Sequence, residues 1–201
     1  MLVGERTYRI THPAQADALI DEAEFEKDER LPYWADLWPS AIALARWLSE
    51  RDLAGKRILE LGCGVGLPSV IALSCGAEVV VTDHYEAAMD FAVFNARENE
   101  AREPEAFLLD WDRPEIDGLG RFDLVIGADI IYEAHDAIVL GNLVPKLLSP
   151  GGEAVFADPK RNTAMVFVHG MEEHGFRETS ESVSVEQADS TVEVRVHRLR
   201  N

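Results

Sequence analysis

Two cysteines in 201 residues, Cys63 inside a glycine-rich turn and Cys75 near the end of an apolar segment, are a poor basis for a disulfide framework. No pair of Cys or His shows metal-ligand spacing, so no metal site is expected. The six histidines are scattered, without the Ser, Cys or Asp partners of a nucleophilic triad. Also missing is any apolar run of the roughly 18 to 20 residues needed to span a membrane, and Met1 to Thr7 lacks the apolar centre of a secretion signal. A soluble, cytoplasmic protein with no membrane partner is the expectation. Repeats, low-complexity tracts and linkers are absent, so 1–201 reads as one domain, a monomer by default.

Basic residues are scarce as well: 19 stand against 37 acidic ones, a formal charge of −18. Such a chain cannot neutralise many phosphates, which argues against sequence-independent nucleic-acid binding. Cationic ligands or partners suit it better, although a solvated acidic surface that only aids solubility accounts for the charge equally well.

What is present is organised around Arg57 to Ser69. Ile58 to Leu61 is a short apolar run that reads as a buried strand. Gly62, Gly64 and Gly66 follow it, and Pro68 and Ser69 then open an apolar segment, Val70 to Cys75. Strand, glycine loop and helix together present backbone N–H groups and a helix N-terminus to a ligand, although such a loop also serves as a plain connection. A second β-branched run, Glu78 to Thr82, ends in Asp83, at the distance beyond the first glycine where a carboxylate can accept from ribose hydroxyls. A nucleoside-bearing ligand follows. The dinucleotide pattern G-x-G-x-x-G/A is broken by Leu67, and the actual spacing is G-x-G-x-G with Glu60 two residues ahead.

The remaining elements fall in order. An alternating stretch from Thr7 to Ile10 suggests an edge strand, and Asp17 to Arg30 is strongly acidic, a solvated helix or an arm at the site mouth, the former preferred. Tyr33, Trp34 and Trp38 precede a helix opened by Pro39 and Ser40, with Trp34 packing that helix onto the sheet; 1–54 thus forms an extension and helix ahead of a core at 55–201. Glu86 to Glu100 is a crossover helix and Ala106 to Trp111 a third strand ending in Asp110-Trp111. The fourth strand, Phe122 to Asp129, continues through Tyr132 and brings Asp129 beside the glycine loop. A buried, unpartnered aspartate there would be costly, which favours a functional role. A helix from Ala134 to Leu148, a turn at Ser149 to Gly152 and a fifth strand at Glu153 to Ala157 come next, with Asp158 to Arg161 on the same rim and lining the substrate side. After a helix at Thr163 to His174, the runs Phe176 to Glu186 and Thr191 to Leu199 form a closing antiparallel hairpin.

The run Glu60 to Gly66 resembles motif I of the class I S-adenosylmethionine (SAM) methyltransferases, and Asp83 falls where that family places its ribose carboxylate. SAM carries an ammonium and a sulfonium and no pyrophosphate, so acidic residues suit it. Trp38-Pro39-Ser40 and the tetrad Asp129 to Tyr132 are similar to elements of the seven-strand protein-lysine methyltransferases, the group that includes the enzyme modifying the electron transfer flavoprotein β subunit and that is also labelled nicotinamide N-methyltransferase-like. The tetrad matches D/E-x-x-Y/F and lacks the Pro-Pro of amide and adenine methyltransferases.

The resemblance covers about Leu31 to Arg161. It implies an α/β, Rossmann-like fold: a seven-stranded, mostly parallel sheet with helices on both faces and a C-terminal antiparallel hairpin. It implies SAM as cofactor, contacted by Trp38, Glu60, Gly62, Cys63, Gly64, Gly66, Asp83, Asp110, Trp111, Ala128 and Asp129. For catalysis it implies Asp129, holding the incoming ammonium or the SAM methionine moiety, and Tyr132, orienting the amine. Tyr33 and Trp34 would border the substrate side, where aromatic faces attract cations. The expected reaction is methyl transfer to the lysine side chain of a protein substrate. A small amine as acceptor and a non-catalytic SAM-binding regulator are the alternatives, with an NAD-binding oxidoreductase argued against by Leu67.

Overall fold

Short β-branched runs alternate with helical stripes along this chain, and the runs Ile58 to Leu61 and Val79 to Val81 are apolar on both faces, which requires cover on both sides. In the computed structural model that cover is found. The structure describes residues 1–14, 32–100, 102–187 and 190–201. The acidic segment from Asp17 to Arg30 lies outside the described residues.

Strands β1 (Leu2–Val3) and β2 (Arg6–Thr7) pair with each other as a small antiparallel hairpin. A single 3-10 turn, Tyr33–Ala35, leads to helix α1 (Pro39–Ser49). The alternation then runs β3 (Arg57–Leu61), α2 (Leu67–Ser74), β4 (Glu78–Asp83), α3 (Glu86–Glu100), β5 (Glu105–Leu108), β6 (Phe122–Ala128), α4 (Ala134–Leu147), β7 (Leu148–Asp158), α5 (Thr163–Glu173), β8 (Arg177–Glu186) and β9 (Thr191–Arg200). The large sheet has the order β5-β4-β3-β6-β7-β9-β8. Neighbours are parallel from β5 to β7, whereas β9 runs antiparallel to both β7 and β8. This is the mostly parallel, seven-stranded sheet with a closing hairpin that the resemblance implied.

The sheet separates two apolar clusters. One holds Leu44 and Leu48 of α1, Val70 and Ile71 of α2, and Ala92 of α3 against Ile58, Val81 and Val196. The other holds Leu140 and Val144 of α4 and Phe167 and Met171 of α5 against Leu59, Val125 and Phe156. Phe156 and Phe167 are fully buried with ring centroids 4.5 Å apart. Burying side chains of that size contributes roughly 2–3 kcal/mol each.

Strand order reverses between β3 and β6, which opens a crevice at their carboxyl ends. Several element bounds differ from the sequence reading. The stretch from Thr7 to Ile10 does not join the large sheet; only Thr7 is in a strand, paired with Leu2. Strand β5 stops at Leu108, so Asp110 and Trp111 stand in the turn after it. Strand β6 does not continue to Tyr132, because Asp129 adopts a left-handed backbone (φ 58°) that ends extended structure. Ser149 to Gly152 is a bulge inside β7: Phe122 pairs with Leu148 but Leu124 with Glu153, and Gly151 takes φ 76°.

Candidate active site

Every cofactor and catalytic residue named from the sequence lines one cavity at the carboxyl ends of β3, β4 and β6, with a volume of about 540 Å³, whereas Asp158 to Arg161, expected to line the substrate side, are not among the described residues that line it. That size is ordinary for a pocket that takes a nucleoside-sized ligand.

The loop after β3 forms its floor. Gly62 and Gly66 both have left-handed backbones. A Cβ on Gly66 would lie 2.7 Å from Ala92 Cα, so glycine is what lets α2 start hard against α3. At Gly62 a Cβ would lie 2.7 Å from Ile130 Cγ2, so the loop touches the segment after β6. Glu60 is sealed beneath this loop. Its Oε2 accepts from the Ser69 backbone N–H (3.1 Å) and from the Ser69 hydroxyl, which anchors the first turn of α2. Burial pushes the Glu60 pKa up to about 8, against the pull of the two Ser69 bonds.

Asp83 closes β4 and ties the loop to it. Its carboxylate accepts from the backbone N–H groups of Gly64 (3.0 Å) and Tyr85 (3.1 Å), while Cys63 N–H donates to Thr82 O (3.0 Å). Burial raises the Asp83 pKa and the backbone donors oppose the rise. Its remaining accepting capacity at the cavity wall suits a pair of ribose hydroxyls.

Asp110 and Trp111 reach the cavity from a turn rather than a strand end. Asp110 Oδ1 accepts from Asp112 N–H (2.9 Å), an Asx turn that aims the next residue inward. The Trp111 ring lies alongside Gly62, and its Nε1–H is buried without a hydrogen-bond partner among the described residues. Buried donors are normally paired, so this one marks a place for a ligand acceptor.

The opposite wall carries the second group. Asp129 follows Ala128 at the end of β6, and its backbone N–H donates to Ala157 O (2.8 Å). Its Oδ2 accepts from the Ser40 hydroxyl (3.1 Å), and its Oδ1 accepts from Arg161 Nη2 (2.7 Å) and Nε (3.2 Å). Neither partner was assigned to Asp129 from sequence. Ser40 reads there only as a helix opener, and the Asp158 to Arg161 stretch only as rim.

Tyr33 and Tyr132 form an edge-to-face pair (6.0 Å between centroids), and Tyr33 meets Trp38 the same way (6.1 Å). Trp38 Nε1–H donates to Tyr33 O (2.8 Å), which ties the 3-10 turn to the start of α1. Both tyrosines remain substantially exposed. Trp34 also lines the cavity, but it packs on Phe91 of α3 (5.7 Å) rather than pressing α1 onto the sheet.

Charge on the wall is one-sided. Asp36, Asp83, Asp110, Asp129, Glu133 and Asp136 all contribute, and no Lys or Arg side chain among the described residues lines the cavity. His135 on the rim donates its Nε2–H to Asp112 Oδ1 (2.5 Å), which raises its pKa. The donor set thus fits SAM: an aspartate for ribose, an unpaired indole N–H, close glycine backbone, and carboxylates to face an ammonium and a sulfonium.

A family model described as lysine methyltransferase matches residues 22–174. Among curated relatives, a Xenopus laevis histone-arginine methyltransferase, METTL23, is 31% identical over 67% of this chain and 60% of its own length. The mouse EEF1A lysine methyltransferase 3 is 30% identical over 86% of this chain and 74% of its own length. This chain thus spans less than two-thirds of the length of the frog relative. A solved structure of a Synechocystis magnesium protoporphyrin IX methyltransferase superposes with a TM-score of 0.65 at 20% identity, over 88% of this chain and 83% of that one, which establishes the shared class I fold. The chain belongs to the lysine methyltransferase family.

Proposed function

We propose that this member of the lysine methyltransferase family transfers the methyl group of SAM to a lysine side chain of a protein substrate. The observation that carries the reading is the acceptor wall: carboxylates and exposed tyrosine rings around one cavity, with no Lys or Arg among the described residues that line it. Such a wall attracts a cationic side chain and holds it against aromatic faces.

The cofactor would lie between the Gly62 to Gly66 backbone and Trp111, with Asp83 on its ribose and Trp38 at its edge. When bound, SAM supplies an electrophilic methyl whose departure leaves a neutral thioether. The chain's own residues supply alignment. A lysine ammonium, with a pKa near 10.4 in water, must lose a proton before its lone pair can attack. Asp129 draws the cation in, and Tyr132 orients the amine in line with the methyl. Proximity and orientation of this kind account for most of what such an enzyme must provide.

An arginine acceptor is the second reading. It is favoured by one observation: Asp129 already holds a guanidinium, that of Arg161, while a similar protein is named histone-arginine methyltransferase. The test is incubation with methyl-labelled SAM and an extract of the organism that encodes the protein. Proteins and small molecules are then separated, and labelled protein is hydrolysed to amino acids. Labelled methyllysine supports the proposal. Methylarginine supports the second reading, label confined to small molecules points to a small amine acceptor, and binding of SAM without any transfer points to a regulatory role.

A further inference from the structure

Among the described residues, only Asp129 (φ 58°) and Lys160 (φ 62°) are non-glycine residues with left-handed backbones. Asp129 is one end of the Arg161 to Asp129 ion pair, and Lys160 immediately precedes the other. A left-handed backbone is strained for a residue that bears a side chain and persists where its surroundings over-determine it. Asp129 is held by Ser40, Arg161 and the Ala157 carbonyl. The turn at Lys160 is held by Asp158, whose Oδ1 accepts from Arg161 N–H (2.5 Å).

Asp158 is itself gripped from behind. His197 on β9 places Nε2 2.7 Å from Asp158 Oδ2 and Nδ1 2.6 Å from Glu178 Oε1 of β8. His197 and Asp158 are each only 1% exposed at the side chain. Carboxylates accept and do not donate when ionised, so an imidazole bonded to one at each nitrogen must carry both protons. Burial alone would push the His197 pKa down, but the bonds to Asp158 and Glu178 outweigh it and raise the value. Helix α5 covers that face of the sheet with Ala164, Phe167, Val168 and Met171, none of them charged. The His197 charge therefore answers to Asp158 of β7 and Glu178 of β8.

We propose that His197 is a positioning residue for methyl transfer: clamped between Glu178 and Asp158, it fixes the turn that carries Arg161, and Arg161 sets the Asp129 carboxylate at the cavity. This path links the closing hairpin to the acceptor wall through a chain of hydrogen bonds. Its kinetic consequence rests on the functional reading above; its protonation and geometry do not. Because the raised pKa belongs to the folded state, the clamp is complete below that value and is lost as pH rises through it.

The test uses the full chain, wild type and His197→Gln. NMR of the wild type with isotope-labelled histidine is expected to show both ring N–H protons of His197 at neutral pH. In His197→Gln the Arg161 Nε–H signal is expected to broaden and the amides of Asp129 and Lys160 to shift. Methyl transfer is expected to lose roughly tenfold in kcat, with the KM for SAM unchanged, since misplacing a reacting group by a fraction of an ångström has that scale of effect. The basic limb of the wild-type pH profile should vanish in the variant. Arg161→Gln, at an exposed position, should show the same loss, and the double variant no further loss. Additive losses, a singly protonated His197, or wild-type kcat and pH profile in His197→Gln would each overturn the assignment. If His197→Gln fails to fold, full kcat in Arg161→Gln overturns it. If the wild type transfers no methyl to any acceptor, the functional reading fails, and an unchanged Arg161 Nε–H signal in His197→Gln still overturns the positioning.

Discussion

The cavity has two halves, and they are built differently. The cofactor half, Glu60 to Ser69 with Asp83 and Trp111, is written almost entirely into neighbouring stretches of chain. Its main bonds join Gly64 to Asp83 and Ser69 to Glu60. The acceptor half sets Asp129 and Tyr132 at the cavity, and Ser40 and Arg161 hold Asp129 from separate segments, with Ser40 reaching Asp129 across 89 positions. A local motif can position a ligand that never changes, whereas a wall assembled from distant pieces can be altered one piece at a time. On this view the cofactor half should break by losing fold or ligand, and the acceptor half by losing turnover.

The largest effect is expected at Gly66. A methyl group there meets the Ala92 backbone and must also adopt φ 77°, so Gly66→Ala should lose about 3 kcal/mol of stability, combining overpacking with left-handed strain. Denaturant unfolding measures it, and a loss below about 1 kcal/mol would show that α2 and α3 can part more easily than their contact implies.

Ser40→Ala breaks the acceptor half in a milder way. It removes one hydrogen bond to the Asp129 carboxylate, worth about 1.5 kcal/mol, so kcat should fall about tenfold while SAM affinity holds. Steady-state kinetics beside calorimetry separates the two, and a matching loss of SAM affinity would merge the halves.

Trp111→Phe sharpens the comparison from the cofactor side. Removing the unpaired Nε1–H should weaken SAM binding by about fivefold, near 1 kcal/mol, and leave the ligand-free protein no less stable. A drop in stability without a drop in affinity would reassign that N–H to an internal partner.

Smallest at neutral pH is Glu60→Gln. The Glu60 pKa rises from an ordinary 4.5 to about 8 in the folded state, so the native protein binds the extra proton across that window and stability declines as pH rises through it. The amide still accepts from Ser69 and cannot titrate. Thermal unfolding between those pH values should show a flatter profile in Glu60→Gln, and an unchanged slope would mean that Glu60 is ionised in the native state.

These halves also differ in how much of them could be read from residues alone. Motif I, Asp83 and the strand-helix alternation carry their own spacing, and the sheet order follows from it. The tetrad Asp129 to Tyr132 was legible as residues but not as backbone, since nothing local says that Asp129 leaves the strand in a left-handed turn. Asp110 and Trp111 were placed at the right wall on the wrong element, because β5 ends two residues before Asp110. The Arg161 pair and the Asp158–His197–Glu178 clamp depend on contacts across 32, 39 and 19 positions. Only the folded sheet brings those together, and His197 therefore reads in sequence as one more scattered histidine.

The most direct measurement is SAM binding by calorimetry together with methyl-label transfer, made on wild type and Asp129→Ala with the same protein substrate. The account predicts equal SAM affinity, intact folding, and labelled methyllysine from the wild type alone, with transfer by the variant down on the order of 100-fold or more. Full transfer by Asp129→Ala would contradict it and remove the acceptor role from Asp129.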